Sequence, residues 1–270
     1  HPPLIVPEIG KNEDLKKVKK TIYAMEKLSE EISQFDIDTV IIISPHGIIY
    51  PDRMNIWFGG EFSGDFSQFG APEIKFDFIS NDSLAQTIIK TAQKNNIKTN
   101  PYTENHILDH GVLVPMFYLR KHLVDEVKLI PINYSMLNQL QHYAFGQIIY
   151  DSTQSRDFYE KNIAIIASGD LSHRLLETAP AGYTPVGKDF DKQLVNNLKN
   201  KDIESIINMD ENFIQDAGEC GYRSILILLG ALEKINYKPQ ILSYEGPFGV
   251  GYLVANFIIN DTNTTNKSNQ

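Results

Sequence analysis

Cysteine is nearly absent. The 270 residues contain one, Cys220, so no disulfide can close within the chain, and the usage fits a reducing compartment. Positive charge is in deficit as well: Lys and Arg number 25 against 34 Asp and Glu, a formal net charge of −9. The one basic run, Lys16, Lys17, Lys19 and Lys20, falls on an expected helix face. An acidic chain without a clustered positive field repels phosphate backbones, which excludes a nucleic-acid partner. No apolar stretch approaches the ~20 residues that cross a bilayer. No basic-then-apolar signal segment opens the chain either. A nucleophile elbow, a P-loop, a Rossmann glycine fingerprint and an HExxH helix are all missing. What remains is an expected soluble, cytoplasmic globular protein. The chain opens at His1 with no methionine, so residues before it are expected.

Hydrophobic residues make up 42% and charged residues 22%, the proportions of an ordinary packed domain. Asp38 to Ser44 (DTVIIIS), Val127 to Ile132 (VKLIPI) and Asn162 to Ser168 (NIAIIAS) are continuous apolar runs rich in β-branched residues. Continuity, rather than alternation, is what a strand covered on both faces requires. Helical patterns run about Glu13 to Gln34, Ser83 to Asn95, Met136 to Gln154 and Gly187 to Lys199. The stretch Gly221 to Ile235 is apolar at most positions and predicts a buried helix. Strands alternating with helices predict an α/β fold, a three-layer α/β/α sandwich around a central mostly parallel or mixed sheet. Gln240 to Tyr244 and Gly251 to Ile259 predict a closing hairpin across the turn EGPFGV. One domain over residues 1–259 is expected, followed by a disordered polar tail over 260–270.

The seven histidines carry the chemistry. His46 follows the strand TVIIIS and His173 follows the strand IAIIAS, so both fall where ligands collect in open α/β sheets, beyond the carboxyl ends of strands. His110 opens a helix in LDHGVLVP, and His1 precedes a proline-rigid turn. A single histidine at a strand end is more often hydrogen-bonded structure than a ligand; four at such positions predict a shared site. His122 and His142 lie on Lys- or Gln-rich helical segments and are assigned to the solvated surface, and His106 is left open. Two histidines and one carboxylate on one face form the facial triad of non-haem ferrous oxygenases. Glu219, Glu245, Asp109 and Asp170 are the candidate carboxylates, with Cys220 as a soft alternative or simply a core residue.

The segments HPPLIVPEIG, ISPHG, GDFSQFGAP, LDHGVLVP, ASGDLSHRL, AGYTPVGKDFD, ECGYRSILILLGAL and SYEGPFGVGY occur in this order from His1 to Ile259. Together they resemble the LigB-like superfamily, the catalytic B subunits of class III extradiol ring-cleaving dioxygenases. The nearer likeness is to its Memo-like branch, often paired with AMMECR-type and radical SAM proteins. The resemblance implies one Fe(2+) ion held by His1, His46 and Glu219. It implies that His173 moves protons on the catechol hydroxyl and the oxygen, a task suited to imidazole near neutral pH. It also implies that His110 orients substrate or the superoxide. In the Memo-like branch a cysteine can stand where the carboxylate is expected, and Glu219 and Cys220 are adjacent here.

Three functions compete. The first is an iron-dependent extradiol dioxygenase of aromatic compound metabolism, taking a small aromatic diol and O2. The second is a Memo-like metal-binding or interaction protein serving a radical SAM partner. The third is a zinc-type hydrolase with three protein ligands and a water. Arg174 and Arg223 are the only nearby cations that could clamp a substrate carboxylate, or they are structural ion-pair partners. A homodimer or an AMMECR-type partner is the expected assembly.

Overall fold

The computed structural model describes residues 1–104, 107–124 and 126–260. His106 and residues 261–270, nearly all of the polar tail, lie outside the described residues. In chain order the first half runs α1 (Asn12–Lys17), α2 (Lys19–Ile32), β1 (Thr39–Ser44), β2 (Met54–Trp57), β3 (Glu61–Phe66), β4 (Ala71–Ser80), α3 (Asp82–Lys94), β5 (Thr99–Tyr102) and α4 (His110–Leu119). The second runs β6 (Lys128–Asn133), α5 (Gln139–Thr153), β7 (Ile163–Ala167), α6 (Pro185–Asn200), α7 (Ile203–Ile207), α8 (Glu211–Ala217), α9 (Tyr222–Ala231), β8 (Tyr237–Glu245) and β9 (Tyr252–Ile259).

Seven strands form one sheet, ordered β3-β4-β6-β1-β7, with β2 branching from β6 and β5 pairing with β2. The three continuous apolar runs are its parallel centre: Ser44 lies opposite Asn133 on β6, and Ile43 opposite Ala167 on β7. Their carboxyl ends therefore finish at one level. Alternate residues of β1 point to opposite faces and enter separate cores. Val40 and Ile42 pack with Val112, Leu113 and Met116 of α4, while Ile41 and Ile43 pack with Leu84 and Ile88 of α3 and Phe145 and Ile149 of α5. This is the predicted three-layer sandwich. A third core, with Phe190, Leu194, Ile214, Tyr222 and Leu226, joins α6, α8 and α9. β8 and β9 form a separate antiparallel hairpin, also as expected.

Three expectations need correction. The helix expected over Glu13 to Gln34 is two helices that break at Val18, whose φ of −108° and ψ of 20° are not helical. The helix expected from Met136 starts at Gln139, because Asn138 caps it: its side chain accepts from the Gln141 N–H, and the Gln141 side chain returns the bond. His142, expected on the solvated surface, is 0% exposed. α5 is squeezed between α3 and α9, and a Cβ on Gly146 would collide with the Ile227 carbonyl oxygen, so the two helices meet backbone to backbone. No helix among the described residues is long and apolar enough to cross a membrane.

Candidate metal centre

His1, His46 and His110 come from three separate segments and meet at the carboxyl edge of β1. Each offers one ring nitrogen, and these atoms all lie within 4.8 Å of one another. His1 Nε2 and His46 Nε2 are 2.8 Å apart. The His46 and His110 rings are tilted by 30° with centroids 4.0 Å apart, and Phe69 sets its edge against His110 at 5.4 Å. His46 is exposed, while His1 and His110 are half-buried. Although the His46 residue is exposed overall, the protein packed around its ring desolvates it and lowers its pKa, and burial together with the neighbouring His46 pushes His110 down to about 4. At neutral pH both imidazoles are uncharged and keep lone pairs to share.

The supports of this cluster are two serines that end adjacent parallel strands. Ser44, the last residue of β1, donates to Asp109 Oδ1 at 2.5 Å, and Asp109 also accepts from the Gly111 N–H, capping the helix that carries His110. The His46 N–H donates to Ser44 Oγ at 3.3 Å. Ser168, one residue past β7, lies 3.0 Å from His1 Nδ1 and donates to the Gly111 carbonyl at 2.5 Å. The main-chain nitrogen of His1 donates to Asp170 Oδ1 at 2.9 Å. The repeated ending of TVIIIS and IAIIAS was the available sequence signal for these serines.

His173 is the fourth histidine of the expected site. Its Nδ1 lies 2.7 Å from the Gly218 carbonyl oxygen, which can only accept, so Nδ1 carries a proton and, in the neutral ring, Nε2 holds the lone pair. That Nε2 is 4.0 Å from Cys220 Sγ, and the same sulfur is 3.8 Å from His1 Nε2. Cys220 is thus the link between the cluster and His173. Burial raises its thiol pKa strongly. Gly169 and Gly221 bring the loop after β7 against the start of α9, where a Cβ on Gly169 would overlap Gly221 Cα.

Glu219 stands apart from this group. Its Oε2 accepts the Tyr222 N–H at 2.5 Å and its Oε1 lies 3.7 Å from Arg223 Nη1. The unpaired N–H groups at the start of α9 draw the carboxylate toward the helix rather than toward the imidazoles. Burial still lifts its pKa to about 7. Of the other candidates, Glu245 accepts from the Thr21 N–H and hydroxyl, both at 2.8 Å, and is not part of the histidine group. The two arginines have structural partners: Arg223 pairs with Glu219, and Arg174 Nη1 donates to the Asp216 carbonyl at 3.3 Å, at the end of α8.

The donor set fits a divalent first-row metal. Imidazole suits iron, zinc, copper and nickel, and two nitrogens bound at right angles with bonds of about 2.1 Å stand about 3 Å apart, near the 2.8 Å between His1 and His46.

Residues 1–255 match the family described as the catalytic LigB subunit of aromatic ring-opening dioxygenase. The chain belongs to the LigB family. Among relatives, protein CA_C1420 of Clostridium acetobutylicum is 38% identical over 260 residues, covering 93% of this chain and 54% of its own length. The chain therefore spans about half of that relative. The 3,4-dihydroxyphenylacetate 2,3-dioxygenase of Escherichia coli is 22% identical over 229 residues, 80% of this chain and 82% of that one. A solved structure, uncharacterized protein JW3007 from Escherichia coli K12, has the same fold at a TM-score of 0.62 and 13% identity, over 85% of this chain and 91% of its own.

Proposed function

We propose that this LigB chain is an Fe(2+)-dependent extradiol-type dioxygenase that opens a small aromatic diol with O2. The observation that carries the reading is the meeting of His1, His46 and His110 at one sheet edge, with the free Nε2 of His173 reached across Cys220. In this proposal the three imidazoles hold the metal, with Cys220 Sγ beside them, and Glu219 is a positioning residue for α9. Ferrous iron, when bound there, would supply a centre on which the diol and O2 are activated together.

The chain's own residues do the rest. His173 Nε2, its Nδ1 proton given to Gly218, accepts a proton from a diol hydroxyl and later returns it. Phe69, edge-on to His110, offers an apolar wall for a ring. The exposed flank of the cluster at His46 admits the substrate, and the half-buried His1 and His110 close its back.

The test is anaerobic loading of the chain with ferrous ion, then oxygen uptake and near-ultraviolet and visible absorbance with a catechol panel. Stoichiometric iron, oxygen uptake and a yellow ring-opened product are expected. Tight iron without turnover on any diol would instead favour the metal-binding partner reading. Three imidazoles are also a zinc donor set. Zinc-dependent hydrolysis without oxygen uptake would select the hydrolase. Glu219→Gln should keep the metal, whereas Cys220→Ala should weaken it; the reverse pattern would return Glu219 to the ligand set.

A further inference from the structure

We infer that Ser168 locks His1 into the Nδ1–H tautomer, and that Pro115, in α4, is what commits the serine to this task. This inference deepens the reading of His1 as a metal ligand.

The argument is a proton count that begins in a helix. In an α-helix each carbonyl at position i accepts the N–H of residue i+4. Gly111 lies in the first turn of α4, and the residue four along is Pro115, which has no N–H. The Gly111 carbonyl therefore lacks its ordinary helical donor, in a buried setting where an unpaired carbonyl is costly. The Ser168 hydroxyl, 2.5 Å away, supplies the donor instead.

Ser168 has a single proton, and the Gly111 carbonyl takes it. Toward His1 Nδ1, 3.0 Å away, its oxygen can then only accept. A neutral imidazole whose Nδ1 donates must carry its lone pair on Nε2. That nitrogen is the one turned to His46 Nε2 and to Cys220 Sγ. The lock needs no charge and no neighbouring carboxylate. Asp170 holds the same residue by its main-chain nitrogen, so position and tautomer are set by two different groups.

Ser168 is thus a positioning residue, since it acts on the metal through His1. The same hydroxyl joins His1 to the helix start that carries His110, so two proposed ligands share one anchor.

The experiment reads the tautomer directly, in metal-free full-length chain labelled with nitrogen-15. Long-range proton–nitrogen correlation separates a protonated ring nitrogen from one with a lone pair, and H1Q identifies the His1 signals. The expected result is protonated Nδ1 and bare Nε2 in the unsubstituted chain. Ser168→Ala should give a mixture of tautomers and bind zinc, followed by competition titration, roughly 10–100-fold more weakly. Ser168→Thr, which keeps the hydroxyl, should restore both.

Pro115→Ala is the sharper variant. It returns an N–H to the helix, a gain set against the small cavity left by the buried ring, and it frees the Ser168 proton to turn toward His1. A partial shift of His1 toward the Nε2–H form is expected, with an unchanged unfolding midpoint. A bare Nδ1 in the unsubstituted chain would overturn the inference without any variant. So would an unaltered His1 tautomer in both Ser168→Ala and Pro115→Ala. Because no substrate or oxygen enters the measurement, a locked tautomer in a chain that never consumes oxygen would leave this inference standing while sinking the dioxygenase reading.

Discussion

The carboxyl edge of β1 half-buries His110 and the packing of α5 fully buries His142, and loss of solvent pushes both imidazoles down to about 4. The two differ in what their nitrogens face. In α5, His142 Nδ1 lies 2.8 Å from the Asn138 carbonyl oxygen and Nε2 lies 3.1 Å from that of Ser135, so main-chain oxygens occupy both sides of the ring. At the strand edge, His110 faces His1 and His46, and the main-chain needs of its helix start are met by Asp109 and Ser168. A depressed pKa is common to both places. A nitrogen left over for a ligand belongs only to the first.

The comparison can be broken at its strong end first. His46→Ala should abolish metal binding and turnover while barely moving the unfolding midpoint, because His46 is exposed; metal analysis and thermal unfolding check both halves. His173→Ala should keep the metal and lose about 10²–10⁴ in rate, the usual worth of a placed proton carrier.

His142→Ala should do the opposite. It leaves a cavity and takes away the one N–H that a neutral imidazole gives to its two flanking carbonyls, a loss of about 2–4 kcal/mol by urea unfolding, with zinc affinity unchanged. If His142→Ala removed the metal, the distinction between the two regions would fail.

Asp191 sharpens the same point with a carboxylate. It is 0% exposed, accepts from the Ser172 N–H and the Tyr244 hydroxyl, and burial raises its pKa from 3.8 to about 6. A raised carboxyl pKa favours folding most while the group is protonated, below the unfolded value. That contribution is lost as pH rises from about 4 through about 6, an effect of roughly 3 kcal/mol. Asp191→Asn should flatten the dependence of unfolding free energy on pH across this interval; an unchanged slope would discard the assignment. The smallest expected effect is Gly146→Ala, about 1–3 kcal/mol from forcing α5 off α9, read by the same unfolding titration with metal affinity unaltered.

What could be read from the amino acids follows the same division. β1, β6 and β7 were legible because both of their faces are covered and their apolar runs are unbroken. β3 and β4 were not, since they pair as a hairpin at the sheet border and carry Asp65, Lys75 and Asp77 at solvent-facing or half-exposed positions. β2 and β5 are four residues each, too short for a pattern. His46 was placed by a strand end, whereas His1 and His110 were expected beside it from a proline-rigid turn and a helix start, and the three rings do meet. The direction of Glu219 was not: its attraction to the N–H groups of α9 depends on where that helix begins, and the pattern from Gly221 onward fixed the helix without fixing its first turn. His142 misled because Gln-rich composition signals solvent, whereas its ring turns back onto the Ser135 and Asn138 carbonyls and the Tyr134 ring.

The attachment of β2 and β5 has a consequence for how such a protein can change. β2 meets β6 at only two register pairs, Asn55 with Asn133 and Ile56 with Ile132. Asn133 is the hinge pin: it donates to the Ser44 carbonyl on one side and accepts from Trp57 Nε1 on the other. The proposed ligands sit on neither β2 nor β5. This branch is therefore a graft. Among the described residues, its one side-chain tie to the strand that ends at the cluster is Asn133, so a change at Trp57 is felt at Ser44 through that single amide.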